Sequence, residues 1–360
     1  MCSSDLVSSP LFAGCNGLAR RCDIVEMDPI ARDRLFGFRH AFDSPVTLWI
    51  TIAVIAALLI ASVIIWLLHT RGRTSDKLHD ELVKRVVSWA VMTPLLLGPV
   101  LLGAAWTILA VAILSVLCYR EFARATGFFR YRSLSIVVVL GIIATTFAIA
   151  DHWYGFFVAI PPLTMVLLAM VAVLRDEPRG YTQRVGLGII GFLLFGHCLG
   201  HLGYMANDAD FRPIVMLIIL TVELNDVFAY IAGKTFGHRK ITPQTSPNKT
   251  LGGALGALVL TTTLVSTVGH FVFAGSGVDT PVRLIGLGLI VSVAGQFGDL
   301  MVSSIKSDIG IKDMGASIPG HGGLLDRFDS MLLVAPAVFH YIGFFRGFGL
   351  DQPTRIFTGS

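Results

Sequence analysis

Long apolar runs alternate with short polar connectors along most of this chain. From about residue 46 the runs are each about 20 residues long, enough to cross a hydrocarbon core of about 30 Å as a helix. They predict spans over 46–68, 134–150, 154–174, 185–205, 213–233, 251–275, 283–303 and 330–348. The run from 86 to 118 is too long for one span and carries Pro94, Gly98, Pro99 and Gly103. It predicts a hairpin of two short helices. The pattern therefore gives an all-α, polytopic helical integral membrane protein with about ten transmembrane helices. A membrane β-barrel would show short alternating segments instead.

Residues 1–44 are polar and mixed in charge, and predict a disordered tail. No apolar stretch follows the start, so no signal peptide is expected, and Met27 offers an alternative start. Residues 45–82 read as an additional helix with a basic loop, 83–349 as the main membrane domain and 350–360 as a C-terminal tail.

Composition sharpens this picture. The chain is 54% hydrophobic and only 14% charged, with a mean hydropathy of +0.73; soluble domains are less apolar and carry more charge. The net charge of +4 is modest, and no basic stripe with interleaved aromatics points to nucleic acid. Cys118 and Cys198 fall in apolar runs, and Cys2, Cys15 and Cys22 lack metal-ligand spacing. Neither a disulfide framework nor a structural zinc is expected.

The basic residues gather in alternate loops. Arg71, Arg73, Lys77, Lys84 and Arg85 follow the first span, and Arg120, Arg124, Arg130 and Arg132 follow the hairpin. Loops 175–184, 234–250 and 304–329 hold most of the rest, whereas 151–153, 206–212 and 276–282 hold few. The positive-inside rule places the basic set in the cytoplasm. Arg32, Arg34 and Arg39 then lie outside, outweighed by the richer loop after the first span.

Against so apolar a background, three polar constellations stand out. Glu223 and Asp226 lie three apart inside a predicted span, on one helix face. Intramembrane carboxylates are costly and mark cation ligands, polar cavity walls or helix contacts. Lys234, Ser246 and Lys249 sit among glycines and hydroxyls between two spans. Such groups cradle phosphates or contact lipid headgroups; the Walker A spacing is absent. The third runs from Asp299 through Ser303, Lys306, Lys312, Asp313 and His321 to Asp326, Arg327 and Asp329. Hard oxygen ligands beside phosphate-binding cations point to Mg²⁺, with a second cation left open.

The third segment resembles the signature of the phosphatidate cytidylyltransferase (CDP-diacylglycerol synthase) family. It carries Ser303, Lys306, Lys312-Asp313, Pro319-Gly-His321-Gly-Gly323 and Asp326-Arg327-Phe-Asp329 at the family's spacing. Asp226, Ala229-Tyr230, Gly233-Lys234, Phe236-Gly237 and Ser246-Pro-Asn-Lys249-Thr250 are similar to its preceding loop, and Arg120-Glu121-Phe122 to an earlier motif. The resemblance covers about residues 83–348. Ser307 stands where the family usually has Arg, Val302 where many members have Glu, and Val227-Phe228 replaces a small polar pair.

The resemblance implies cytidylyl transfer from CTP to phosphatidic acid at a bilayer, releasing pyrophosphate. It implies a bacterial-type inner membrane, with the site facing the cytoplasm. Asp299 and Asp326 would hold the metal, with Asp226 and Asp329 as helpers. Lys306, Lys312, Asp313, His321 and Arg327 would be catalytic, and Lys234, Ser246, Lys249 and Ser303 would bind substrate. A homodimer is left open. The departures keep two alternatives: a paralogue altered in substrate or silent, and a transporter using the intramembrane carboxylates.

Overall fold

A computed structural model describes residues 29–72, 75–315, 317, 322–348 and 355–359 of the protein. Its helices are α1 (Pro29–Phe36), α2 (Pro45–Thr70), α3 (Asp76–Leu102), α4 (Ala104–Ala125), α5 (Arg132–Ala150), α6 (Tyr154–Val173), α7 (Tyr181–Gly191), α8 (Leu199–Ala206), α9 (Phe211–Phe236), α10 (Leu251–Val272), α11 (Pro281–Asp308), α12 (Leu325–Phe328) and α13 (Met331–Arg346). A π-helical segment, Phe192–Cys198, joins α7 and α8 into one span. Together with the joined α12 and α13, these helices give ten candidate membrane spans, as the apolar runs predict.

The predicted hairpin exists, but neither arm is short. α3 has 27 residues and α4 has 22. Ser75 caps α3 by accepting from the Leu78 N–H, so the helix starts in the basic loop and carries Lys77, Lys84 and Arg85 on its first turns. Pro94 and Pro99 are absorbed inside α3, and the break falls at Gly103. That residue has φ +138°, and a Cβ there would lie 2.5 Å from Leu35 O. Only glycine lets α1 pack so closely on the turn.

Part of the expected tail is helical, because Ala31 and Leu35, one turn apart, are both buried. Residues 1–28, with Cys2, Cys15 and Cys22, lie outside the described residues. Cys118 and Cys198 are free thiols. The connection from α9 to α10 holds the pair of strands among the described residues, β1 (Lys240–Thr242) and β2 (Ser246–Thr250), antiparallel with Thr242 opposite Ser246.

Contacts between connectors sort them by face. Arg212 Nη2 donates to Gly37 O at 2.8 Å, Arg346 Nη2 to Ala209 O at 3.1 Å, and Ile356 N to Asp151 O at 3.1 Å. The N-terminal segment, the 151–153 and 207–210 loops and the C-terminal segment thus share one face. The basic connectors and the signature loop occupy the other. The span of α7 and α8 is 56% buried and that of α2 only 6%, so α2 stands at the periphery.

Candidate active site

The site begins where α9, α10 and α11 cross. Asn225 is buried, and its Oδ1 accepts from Thr261 Oγ1 at 2.9 Å and Ser292 Oγ at 2.7 Å. One side chain thereby ties three helices and fixes the rotation of α9. Its neighbours Glu223 and Asp226 follow from that rotation. A Cβ at Gly298 would lie 2.6 Å from Asp329 O. The missing side chain lets α11 approach the start of α13 and sets Asp299 beside Asp329.

Asp226, Asp299 and Asp329 converge there. Ser330 touches two of them: its N–H donates to Asp329 Oδ1 at 2.7 Å, and its Oγ lies 3.5 Å from Asp226 Oδ2. Asp299 is close enough to act electrostatically on both Asp226 and Asp329. Its own carboxylate accepts from Ser303 Oγ at 3.1 Å and pairs with Lys249 Nζ at 2.6 Å. Lys249 also donates to Gln296 O at 3.3 Å, docking the strand pair on α11. Arg327 lies in the field of both Glu223 and Asp226.

Asp326 has a different position. Its Oδ1 pairs with Lys306 Nζ at 2.9 Å, and its Oδ2 accepts from Met314 N at 2.9 Å and Gly323 N at 3.0 Å. Three donors hold this carboxylate inside the signature loop. Glu121, on α4, does the same from the other side. It accepts from Leu324 N at 3.0 Å, Leu325 N at 2.8 Å and Ser317 Oγ. A Cβ at Gly323 would lie 2.6 Å from Glu121 Oε2, 2.8 Å from Gly315 N and 3.0 Å from Asp326 Oδ2. Gly322 has φ +83°, a left-handed conformation that favours glycine. The paired glycines let the chain thread between two carboxylates.

Lys312 and Asp313 are exposed on the same loop, and His321 lies outside the described residues. Lys234 is exposed, with Nζ 4.9 Å from the centre of the Tyr230 ring. Ser246 lies on β2, across from Thr242 and three residues before Lys249. Val302 is 1% exposed within the apolar core, whereas Ser307 is exposed and donates to Ser303 O at 2.9 Å. Glu121 has no assigned role in the sequence reading. Its signal was a carboxylate beside an apolar run, within the Arg120-Glu121-Phe122 motif.

Among the described residues, no three His, Cys, Asp or Glu side chains form a ready protein-only metal cage. The donor set suits a hard ion of another kind. Mg²⁺ commonly takes one or two carboxylates and completes its shell with water and substrate phosphate, and Asp226 presents an exposed carboxylate beside Asp299.

Comparison with known proteins agrees with the geometry. The chain is 29% identical over 294 residues to the uncharacterized protein YnbB of Escherichia coli, covering 80% of this chain and 94% of that one. It is 31% identical over 219 residues to a phosphatidate cytidylyltransferase of Rickettsia bellii, covering 59% and 92%. A phosphatidate cytidylyltransferase of Staphylococcus aureus is 42% identical over 138 residues, 38% of this chain and 52% of that protein. Residues 83–345 match the model of the cytidylyltransferase family, from α3 through α13. The protein is therefore a membrane-embedded nucleotidyltransferase and belongs to the cytidylyltransferase family.

Proposed function

We propose that the protein transfers the cytidylyl group of CTP to phosphatidic acid, giving CDP-diacylglycerol and pyrophosphate. The observation that carries this reading is the approach of Asp226, Asp299 and Asp329 to one another beside Lys249, in the half of α9 and α11 nearer the basic connectors. The named relatives from Rickettsia bellii and Staphylococcus aureus support the choice of substrate. Their chemistry needs cations and oxygen donors around two polyanions, and the site offers both.

The reaction needs no protein nucleophile. An oxygen of the lipid phosphate attacks the α-phosphorus of CTP. The bond from that phosphorus to the bridging oxygen breaks, and the electron pair leaves with pyrophosphate. The barrier is set by bringing two anions together in line, so alignment and charge supply the catalysis. Lys306 is oriented by Asp326 and Lys249 by Asp299, so each ammonium is held on the basic face. Lys312 and Arg327 add charge from the same loop and from α12. Asp226 and Asp299 would hold Mg²⁺, with Asp329 in a supporting position, and the ion when bound would neutralise phosphate charge. Asp326 serves in this proposal to shape the loop. Ser303 orients Asp299, and Ser246 and Lys234 contact nucleotide or headgroup. The basic connectors support a cytoplasmic orientation for this face, the side on which CTP is found.

The test is incorporation of radiolabelled CTP into phosphatidic acid by purified protein with Mg²⁺. Wild type should label the lipid and release pyrophosphate. Asp299→Ala should lose activity by about 10²-fold or more. Wild-type turnover by Asp299→Ala would overturn the site assignment, and no incorporation by wild type would overturn the reaction.

A further inference from the structure

An apolar cavity of about 1090 Å³ lies between α2, α3, α9 and α10. Of its 22 lining residues Glu223 is the one ionisable side chain. Glu223 sits one turn from Asp226 on α9, so the cavity reaches within one helical turn of the carboxylate site. On α9 its lining extends from Val227 back to Met216. At a helical rise of 1.5 Å that is about 16 Å, close to the depth of one leaflet's hydrocarbon, half of about 30 Å. It runs away from the basic face, the direction in which the tails of a lipid with its phosphate at Asp226 would point. The outer wall is α2, with Ala53, Ala57 and Ala61 at four-residue intervals facing the void. α2 lies outside residues 83–345, the segment matched by the family.

We infer that this cavity holds an acyl chain of the lipid phosphate, and that α2 is a specificity element that screens chain length. The inference rests on the proposed function for the identity of the headgroup. The occupant is argued from three features together: the approach of Glu223 to within one turn of Asp226, an apolar lining, and a length close to the depth of one leaflet's hydrocarbon. α2 closes the side of the cavity that would otherwise meet bulk lipid. A residue protruding from α2 into the void shortens the chain that fits. Displacing about two buried methylenes corresponds to about a tenfold loss of affinity.

The experiment uses the full chain and phosphatidic acid bearing a diazirine near the end of one acyl chain. After irradiation, labelled peptides are mapped, with unlabelled phosphatidic acid or phosphatidylcholine as competitor. Label should fall on residues 45–61, 89–97 and 216–227, and phosphatidic acid should displace it while phosphatidylcholine does not. Ala57→Trp should reduce that label and raise the KM for dioleoyl phosphatidic acid about tenfold, leaving the KM for CTP and turnover of a dihexanoyl substrate within about twofold. Label competed equally by both lipids marks the cavity as a site for bulk lipid and overturns the inference. So does label elsewhere, or an equal loss with short and long chains. If no lipid phosphate accepts cytidylyl, the proposed function fails, and competition on the wild-type protein still decides the cavity. It decides equally if Ala57→Trp does not fold.

Discussion

Lys249 Nζ lies 2.6 Å from Asp299 Oδ2, and this ion pair spans from the strand after α9 to the middle of α11. The lysine keeps one acidic residue of the cluster compensated, while Asp226 stays exposed. Lys249→Met should therefore damage the reaction more than the fold. Turnover of CTP should fall by about 10²-fold. Both side chains are about a quarter exposed, so thermal stability in detergent should change by no more than about 1 kcal/mol. A large loss of stability with normal turnover of the surviving protein would make the pair structural instead.

Glu121 carries the opposite expectation. Its buried carboxylate accepts two backbone N–H groups and a hydroxyl from the signature loop. Glu121→Ala leaves Leu324 N and Leu325 N without their acceptor, at about 1–3 kcal/mol each. Stability should fall by several kcal/mol, and limited proteolysis should open the 309–324 connector. Glu121→Gln keeps one acceptor oxygen and should fall between. Equal protease resistance in all three proteins would refute the anchoring role.

How far the sequence discloses this arrangement depends on the range of the interaction. The ten spans were legible because a membrane helix declares itself by local composition, and the hairpin was legible from the cluster of Pro94, Gly98, Pro99 and Gly103; that the break falls at Gly103, with both prolines inside α3, was not. The full length of α3 was not, since its first turns are polar and begin at a capped serine inside a basic loop. The motif residues Asp226, Asp299 and Asp329 could be named, but their meeting depends on Asn225 and Gly298, which matter only once the helices have crossed. Glu121 and Leu325 are 204 positions apart, and no periodicity links them. Residues 240–250 form a strand pair too short to show an alternating pattern. The cavity beside Glu223 is a property of four helices together.

On the face opposite the site, His152 gives a pH dependence separate from catalysis. Burial, and then the charge of Arg34, push its imidazole pKa from 6.5 down to about 4. The folded state thus binds fewer protons than the unfolded one between those values. Its contribution is fully present above about pH 6.5 and is lost as pH falls toward 4. His152 has φ +57°, which Asn tolerates better than most residues. His152→Asn should flatten the fall in melting temperature between pH 7 and pH 4.5, removing on the order of 2 kcal/mol of acid sensitivity. Parallel melting curves for the two proteins would show that other groups control it.

Val302 and Ser307 are the two points on α11 where the chain departs from the usual signature, and their surroundings predict different outcomes on reversal. Val302 is 1% exposed and packs in the apolar core. Val302→Glu would bury a carboxylate without a partner, at a cost of several kcal/mol, so the variant should express poorly and melt early. Ser307 is exposed on the last turn of α11, where its hydroxyl only returns to Ser303 O. Arginine fits there and favours a helix C-terminus by about 0.3–1 kcal/mol. Ser307→Arg should therefore fold normally, and by adding a cation near Lys306 it should lower the KM for CTP. Melting curves and CTP kinetics on the two single variants check both statements. A stable, active Val302→Glu protein would mean that the core around α11 opens to admit a charge, and the buried position of Val302 would then not explain the departure.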